Sequence, residues 1–90
     1  MLTVFVRVKV KPGLEEDYVA AAKALVKSSR KELENITYDF CKISGVDNEY
    51  CFVERWESHS SLEKHMASQH YIDAKAVFED CLLYTSDAAD

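Results

Sequence analysis

The chain has 90 residues, of which 48% are hydrophobic and 30% are charged, as expected for one globular domain. A domain this short buries only about 60% of the surface of its unfolded chain, so such domains often gain stability by oligomerising. The formal net charge of −5 argues against nucleic acid and anionic membranes as partners, and no run approaches the ~20 apolar residues of a membrane span.

The first half of the chain predicts a strand, a long helix and a second strand. Residues 2–10 alternate between two faces, which is typical of a strand, and a Lys-Pro-Gly sequence at 11–13 ends it. Residues 14–33 carry apolar side chains at three- and four-residue spacing, which predicts a helix. We expect Asn35 to end this helix, because asparagine tolerates the left-handed backbone conformation. Residues 36–43 then predict a strand with one face made of Ile36, Tyr38 and Phe40.

The second half predicts a third strand followed by two helical segments. Residues 49–56 alternate, and one face carries Phe52, Glu54 and Trp56. Ser58 is a predicted N-cap, and the Ser60-x-x-Glu63 spacing is typical of a capping box. Helical segments are expected to about residue 67 and from about 69 to 79.

The order β-α-β-β-α then breaks off, and a fourth strand would complete a ferredoxin-like split β-α-β-β-α-β unit of the α+β class. Residues 81–90 stand where that strand is expected. Their sequence resembles the in-frame translation of a transposase adapter used in sequencing libraries. We therefore expect a domain over 1–80 and a non-native tail over 81–90, with the last strand missing or replaced and the native protein continuing differently. The alternative is a genuine, frayed polar C-terminus.

Residues 52–71 carry the most specific pattern in the chain: FVERWES at 52–58, SLEKH at 61–65 and SQHY at 68–71. This resembles the E-x-W-x-S, L-x-x-H and S-x-H-aromatic signature of antibiotic biosynthesis monooxygenase domains, and the quinol monooxygenases are the nearest branch. The resemblance covers about residues 1–80. It implies a homodimeric α/β barrel with a pocket in each subunit, in which several relatives oxygenate quinols or anthrones with O₂ and no cofactor.

Three residues are the candidates for catalysis. His65 is a candidate base or oxyanion partner, because histidine exchanges protons near neutral pH; the alternative is a structural histidine bonded to the third strand. Trp56 is a candidate for stacking on an aromatic ring and donating its indole N–H, or else a core tryptophan. Tyr38 is a candidate hydroxyl donor to an oxyanion, or else half-buried packing.

Four more residues are candidates for substrate binding. Glu54 shares a face with Trp56, and a partly buried carboxylate there is a candidate base; a salt bridge is the alternative. His70 is expected at the pocket rim or at a surface helix start. Phe40 and Phe52 share the faces of Tyr38 and Glu54 and are expected to line the pocket.

The sequence predicts neither a metal site nor a cofactor. The three histidines do not have a metal-ligand spacing, and haem degradation is not expected because residues 2–10 lack the asparagine that haem-degrading relatives carry. The three cysteines are an odd number without a C-x-x-C motif, so a reducing cytoplasm is the expected location.

Three functions remain open at this point. The first is cofactor-independent oxygenation of a quinol-like or polyphenolic small molecule. The second is isomerisation of a phosphorylated signalling sugar, which needs cations in the pocket, for which Arg7 and Lys9 are candidates. The third is a non-catalytic dimeric module that binds a ligand or a protein.

Overall fold

Four strands and three helices make up the chain, and the computed structural model describes residues 1–89, with side chains as far as residue 86. In chain order the elements are β1 Leu2–Val10, α1 Glu15–Ser29, β2 Asn35–Lys42, β3 Glu49–Trp56, α2 His59–Met66, α3 Gln69–Cys81 and β4 Leu82–Ala89. The strands form one antiparallel sheet in the order β2-β3-β1-β4. This is the predicted ferredoxin-like α+β fold. Over the described range, none of the helices has the length and apolarity needed to cross a membrane.

The central pair β1 and β3 has the bounds that the alternating pattern predicts. Register pairs Leu2 with Trp56 and Val4 with Glu54, so side chains of one parity from both strands lie under the helices. Phe5 pairs with Val53 on the opposite face, which no helix covers. The helix-side face of these two strands supplies half of the buried core, namely Leu2, Val4, Val8, Val10, Tyr50, Phe52 and Trp56.

The fourth strand forms from the tail. Leu82–Ala89 pairs with β1 along its free edge, with an irregularity in register between Lys9 and Val10. Of the two expectations for the last strand, missing or replaced, the structure rules out only the first. That residues 81–90 replace a different, native strand stays a prediction.

The connection from α1 to β2 differs from the sequence prediction. The helix ends at Ser29, and a series of turns follows, in which Leu33 is 96% exposed rather than part of the apolar stripe. The β2–β3 register shifts between Asn35 and Thr37. This shift turns Ile36 away from the core, so that its side chain is 48% exposed. Tyr38 keeps the predicted inward orientation and is 2% exposed. The early end of α1 leaves the following turn free to approach α2.

Two local predictions about caps need correction. Asn35 is the first residue of β2 and is not among the positive-φ residues; its amide instead donates to the carbonyls of Thr37 and Arg55. The cap of α2 is Ser58, whose Oγ accepts from the Ser61 N–H at 3.2 Å, so the predicted N-cap is confirmed. The capping box predicted to start at Ser60 does not set the start of the helix.

Candidate active site

A cavity of about 700 Å³ lies between the sheet and the helices. This volume suits a ligand of one to three rings. Most of its wall is apolar, with aliphatic side chains from β1 and aromatic ones from α1, β3 and α3: Val4, Val6, Val8, Tyr18, Phe52 and Phe78. A few polar groups converge on it, chiefly Tyr38, Glu54 and His65. Such a site desolvates an aromatic ligand and offers it hydrogen bonds at few points.

A chain of hydrogen bonds leads from the turn after α1 to the cavity wall. Glu32 Oε2 lies 2.6 Å from Nδ1 of His65, and Nε2 of His65 lies 3.3 Å from the Tyr38 hydroxyl. His65 is 1% exposed and packs against Trp56 and Tyr71, with ring centroids 4.6 and 5.0 Å apart. The imidazole is therefore held in one orientation by bonds at both nitrogens and by rings on its faces.

The Glu32 carboxylate sets the tautomer of His65. A carboxylate only accepts hydrogen bonds, so Nδ1 of His65 carries the ring proton and its N–H donates a hydrogen bond to Glu32. In the neutral ring Nε2 is then an acceptor, and the Tyr38 hydroxyl donates to it. Burial lowers the pKa of His65, against the opposing effect of Glu32, so the ring is neutral at pH 7. Burial, and then the nearby Glu54, raises the pKa of Tyr38, which keeps its hydroxyl protonated.

Glu54 and Trp56 extend the chain on the other side of Tyr38. The Trp56 Nε1–H donates to Glu54 Oε1 at 2.9 Å, and the Glu54 carboxyl competes with Nε2 of His65 for the one proton of the Tyr38 hydroxyl. Glu54 is 5% exposed, and burial raises its pKa to about 7, although both hydrogen bonds act in the other direction. A carboxyl with this pKa exchanges protons at neutral pH. A buried salt bridge, the alternative considered for Glu54, is not found among the described residues.

Tyr18 also faces this cavity, although its place in the helical stripe marked it only as core. Its side chain is fully buried, and its hydroxyl has no hydrogen-bond partner within the part of the chain that the structure describes. An unpaired buried hydroxyl costs roughly 1–3 kcal/mol, which a polar ligand atom would recover. Tyr18 is therefore a second point at which a ligand oxygen would bind.

The seven residues singled out from the sequence divide into two groups. Tyr38, Phe52, Glu54 and His65 line the cavity. The other three lie behind its wall or away from it, and they are Phe40, Trp56 and His70. Trp56 is fully buried with its N–H directed to Glu54, Phe40 packs against Tyr18 and Phe52, and His70 Nε2 lies 2.8 Å from Glu32 Oε2.

Glu32 is the member of the site that sequence reasoning missed. The apolar spacing of residues 14–33 predicts that it belongs to the long helix, whereas it lies in the turn that follows Ser29. Its contacts to His65 and His70 span 33 and 38 residues of sequence, and no local pattern reports such a contact. The one available signal is the pair of serines at 28 and 29, which are weak helix formers and indicate an earlier helix end.

The raised pKa of Glu54 predicts how stability changes with pH. Between pH 4.5 and 7 folded Glu54 holds a proton that the unfolded chain has released, so the free energy of unfolding falls as the pH rises through this window. The cost amounts to about 3 kcal/mol. In Glu54→Gln this loss is absent. Between pH 5 and pH 8 the free energy of unfolding, measured by urea denaturation, should therefore fall by up to that amount more in the wild type than in the variant.

The groups around Glu54 are the same in the wild type and in Glu54→Gln. Tyr38 and Trp56 contact it, Glu32 acts on it electrostatically, and Lys75 and Glu79 line the same cavity. These groups are common to both proteins, so they cancel in the comparison. Glu57→Gln, at an exposed carboxyl one residue beyond Trp56, is the matched control and should follow the wild type. Parallel pH dependences for wild type and Glu54→Gln would contradict the buried-acid interpretation.

Comparison with known proteins places this architecture in one family. The family model described as "Antibiotic biosynthesis monooxygenase" matches residues 1–77. The Bacillus subtilis (strain 168) protein named "Putative monooxygenase YcnE" is 30% identical over 71 residues, which cover 79% of this chain and 75% of that protein.

Solved structures agree on the fold. PA3566 from Pseudomonas aeruginosa superposes with a TM-score of 0.93 at 24% identity, covering 99% of this chain and 90% of its own. Rv0793 from Mycobacterium tuberculosis gives 0.93 at 22%, with coverages of 99% and 91%. At these identities the solved structures support the fold alone, whereas the match to the family model shows membership of the family. The chain therefore belongs to the antibiotic biosynthesis monooxygenase family.

Proposed function

We propose that the protein is a cofactor-independent monooxygenase that oxygenates a quinol-like or polyphenolic small molecule with O₂. The observation that carries this proposal is the Glu32–His65–Tyr38 hydrogen-bond chain, which ends at the wall of an apolar cavity. It offers a buried proton acceptor to a phenol. The family membership supports the reaction class, and the sequence resemblance supports the substrate class.

The first step of the proposed reaction is removal of a phenolic proton. The substrate hydroxyl donates to the Tyr38 oxygen while the Tyr38 proton passes to Nε2 of His65. The resulting imidazolium is stabilised by Glu32 at 2.6 Å. Tyr38 is then neutral again and donates a hydrogen bond to the substrate oxyanion.

The second step forms the carbon–oxygen bond with electrons from the substrate alone. One electron passes from the substrate anion to O₂, and the two radicals join at the ring carbon next to the oxyanion. The peroxide takes the proton from His65, Glu54 accepts the proton of that ring carbon, and the O–O bond breaks. The leaving hydroxide takes the Glu54 proton and becomes water. One quinol and one O₂ thus give one hydroxyquinone and one water.

Oxygen consumption with 1,4-dihydroxynaphthalene tests the proposal. We expect O₂ uptake above autoxidation, one O₂ for each quinol, and one ¹⁸O atom from ¹⁸O₂ in the hydroxyquinone product before exchange with solvent. Uptake no faster than autoxidation would contradict the proposal. Saturable binding without turnover would instead indicate the non-catalytic module.

The isomerase alternative has less support in the geometry. Neither Arg7 nor Lys9 lines the cavity, and Arg7 is paired with Glu49 at 2.7 Å on the uncovered side of the sheet. Among the described residues Lys75 is the cation that lines the cavity. Thermal stabilisation by inorganic phosphate, lost in Lys75→Gln, would favour the isomerase over the monooxygenase.

Two copies are proposed to pair through the sheet face that the helices leave uncovered. Phe5, 42% exposed, and its cross-strand neighbour Val53 form an apolar centre on this face. Phe5→Glu places a charge there, so by light scattering of the eluting protein we expect this variant to be a monomer and the wild type to be a dimer. Ile72→Glu, on the outer side of α3 and 50% exposed, is the control and should remain dimeric. A wild-type monomer, or a dimeric Phe5→Glu, would contradict this interface.

The proposed location is the cytoplasm. The three cysteines are an odd number without a C-x-x-C motif, and Cys41 and Cys51 stand at directly opposite positions of β2 and β3, a spacing within the range that disulfides span. A reducing compartment keeps such a pair as thiols. Fractionation of producing cells checks the location, and recovery of the protein from an oxidising compartment would contradict it.

A further inference from the structure

The side chains of Glu32, His65 and His70 bring three metal-binding atoms together on the side of His65 that is away from the cavity. Glu32 Oε2 lies 2.6 Å from Nδ1 of His65 and 2.8 Å from Nε2 of His70, and all three atoms lie within 4.8 Å of one another. Neither Glu32 nor His70 lines the cavity. Two imidazole nitrogens and one carboxylate oxygen form a donor set that proteins use for zinc and for other divalent first-row metals.

Each of the three comes from a different element, and local structure holds them together. Glu32 lies in the turn after α1, His65 near the end of α2, and His70 at the start of α3. Ser68 fixes the connection between the two histidines, since its hydroxyl donates to the His65 carbonyl at 2.6 Å and accepts from the Tyr71 N–H at 3.3 Å. The ligands are therefore ordered before an ion arrives, which reduces the entropy lost on binding.

The burial of the group suits a bound ion with access from solvent. His65 is 1% exposed, whereas Glu32 and His70 have side chains 19% and 27% exposed. One ligand is thus anchored in the interior, and the other two lie at an opening through which an ion and its water ligands enter. The sequence prediction of no metal site weighed the histidines alone, without Glu32.

We propose that Glu32, His65 and His70 bind one divalent transition-metal ion of the zinc class, with water in the remaining coordination positions. Both imidazoles now donate N–H to the same carboxylate oxygen. An ion at this point binds the lone pairs of Nδ1 of His65 and Nε2 of His70, so each ring proton moves to the opposite nitrogen. In His65 that nitrogen is Nε2, which faces Tyr38.

The ion would therefore act on the cavity without touching it. With its proton on Nε2, His65 donates to Tyr38 and no longer accepts a proton from it. This consequence rests on the proposed function, since it predicts that zinc inhibits quinol oxygenation. Ion binding itself does not depend on that function, and the two are measured separately.

Titration with Zn²⁺ by calorimetry and with Co²⁺ by visible absorption tests the site. Cys41 and Cys51 are adjacent free cysteines outside the proposed site, and thiolates have a high affinity for zinc, so the parent protein carries Cys41→Ser and Cys51→Ser. We expect one ion per chain and a melting temperature raised by roughly 10 °C at a hundredfold excess over Kd. His70→Gln should weaken binding at least about tenfold. His59→Gln, at an exposed histidine, is the matched control and should bind like the parent.

Two outcomes would overturn the ion site: no saturable binding to the parent, or equal affinity of the parent and His70→Gln. Imidazole ¹⁵N shifts provide a readout independent of activity, because zinc should move the His65 proton from Nδ1 to Nε2. Zinc inhibition of turnover in the parent, relieved in His70→Gln, would support the link to the cavity. If the protein has no quinol turnover at all, the proposed function fails while calorimetry and NMR still decide the ion site.

Discussion

Replacing His65 with glutamine should lower kcat/KM for quinol oxygenation by at least about 100-fold, the lower end of what a positioned acid or base contributes. Glutamine fills much of the imidazole volume and keeps polar contacts, but it does not take up a proton near neutral pH. The proton that the phenol passes to Tyr38 would then have no base to accept it from the Tyr38 hydroxyl. Oxygen uptake under pseudo-first-order conditions in quinol gives the ratio directly.

Two further variants separate loss of the base from loss of the fold. Glu32→Gln keeps an acceptor for the His65 Nδ1–H but removes the charge that stabilises the imidazolium, so we expect an intermediate loss of about 10-fold or more. His59→Gln lies on the exposed start of α2 and should retain wild-type turnover. Full turnover by a folded His65→Gln protein, judged by its circular dichroism and melting temperature, would remove His65 from the reaction.

Trp56→Ala should produce the largest loss of stability, about 3–5 kcal/mol, which is the usual range for deleting a buried tryptophan. Trp56 is completely buried, with 0% exposure, and it does not line the cavity. Its ring packs against His65 and, edge to face, against Tyr38. The deletion also removes the hydrogen bond from the Trp56 N–H to the Glu54 carboxyl. Since small domains have only about 5–15 kcal/mol of stability, this loss removes a large fraction of it. Urea denaturation measures the change.

Trp56→Phe distinguishes the packing contribution from the hydrogen bond. The phenyl ring retains most of the buried contact but lacks the N–H, so we expect a smaller loss of about 1–3 kcal/mol from the missing hydrogen bond to Glu54. Leu33→Ala, at a side chain 96% exposed, should change stability by no more than about 0.5 kcal/mol. A Trp56→Ala protein as stable as the Leu33→Ala control would contradict the role assigned to this residue.

The strands of this fold were more predictable than its connections, for a physical reason. β1 and β3 alternate in sequence because one face packs under the helices, and their bounds agree with the structure. The turn after Ser29 has no such periodicity: Leu33 extends the apolar stripe in sequence and yet lies in solvent. The fold class and the inward face of β3 were thus predictable, whereas the end of α1 was not.

The candidate site was predictable only as far as residue types reveal chemistry. His65, Tyr38 and Glu54 were recognised because their side chains titrate or donate and lie in recognisable elements. Their mutual geometry depends on the packing of α2 against β2 and β3, which is a property of the folded chain. Glu32 was missed since nothing local distinguishes it from the surface carboxylates around it.

The edge of β1 where the tail pairs has a consequence for how such proteins diversify. The ladder between these strands is made of main-chain groups, which are alike for nearly every amino acid, so strands of different sequence can pair at this edge. Leu82, Tyr84 and Thr85 of β4 contribute one wall of the cavity, whereas Tyr38 and His65 come from β2 and α2. Exchanging β4 should thus change which ligands fit the cavity, while the residues that transfer protons, Tyr38 and His65, stay the same.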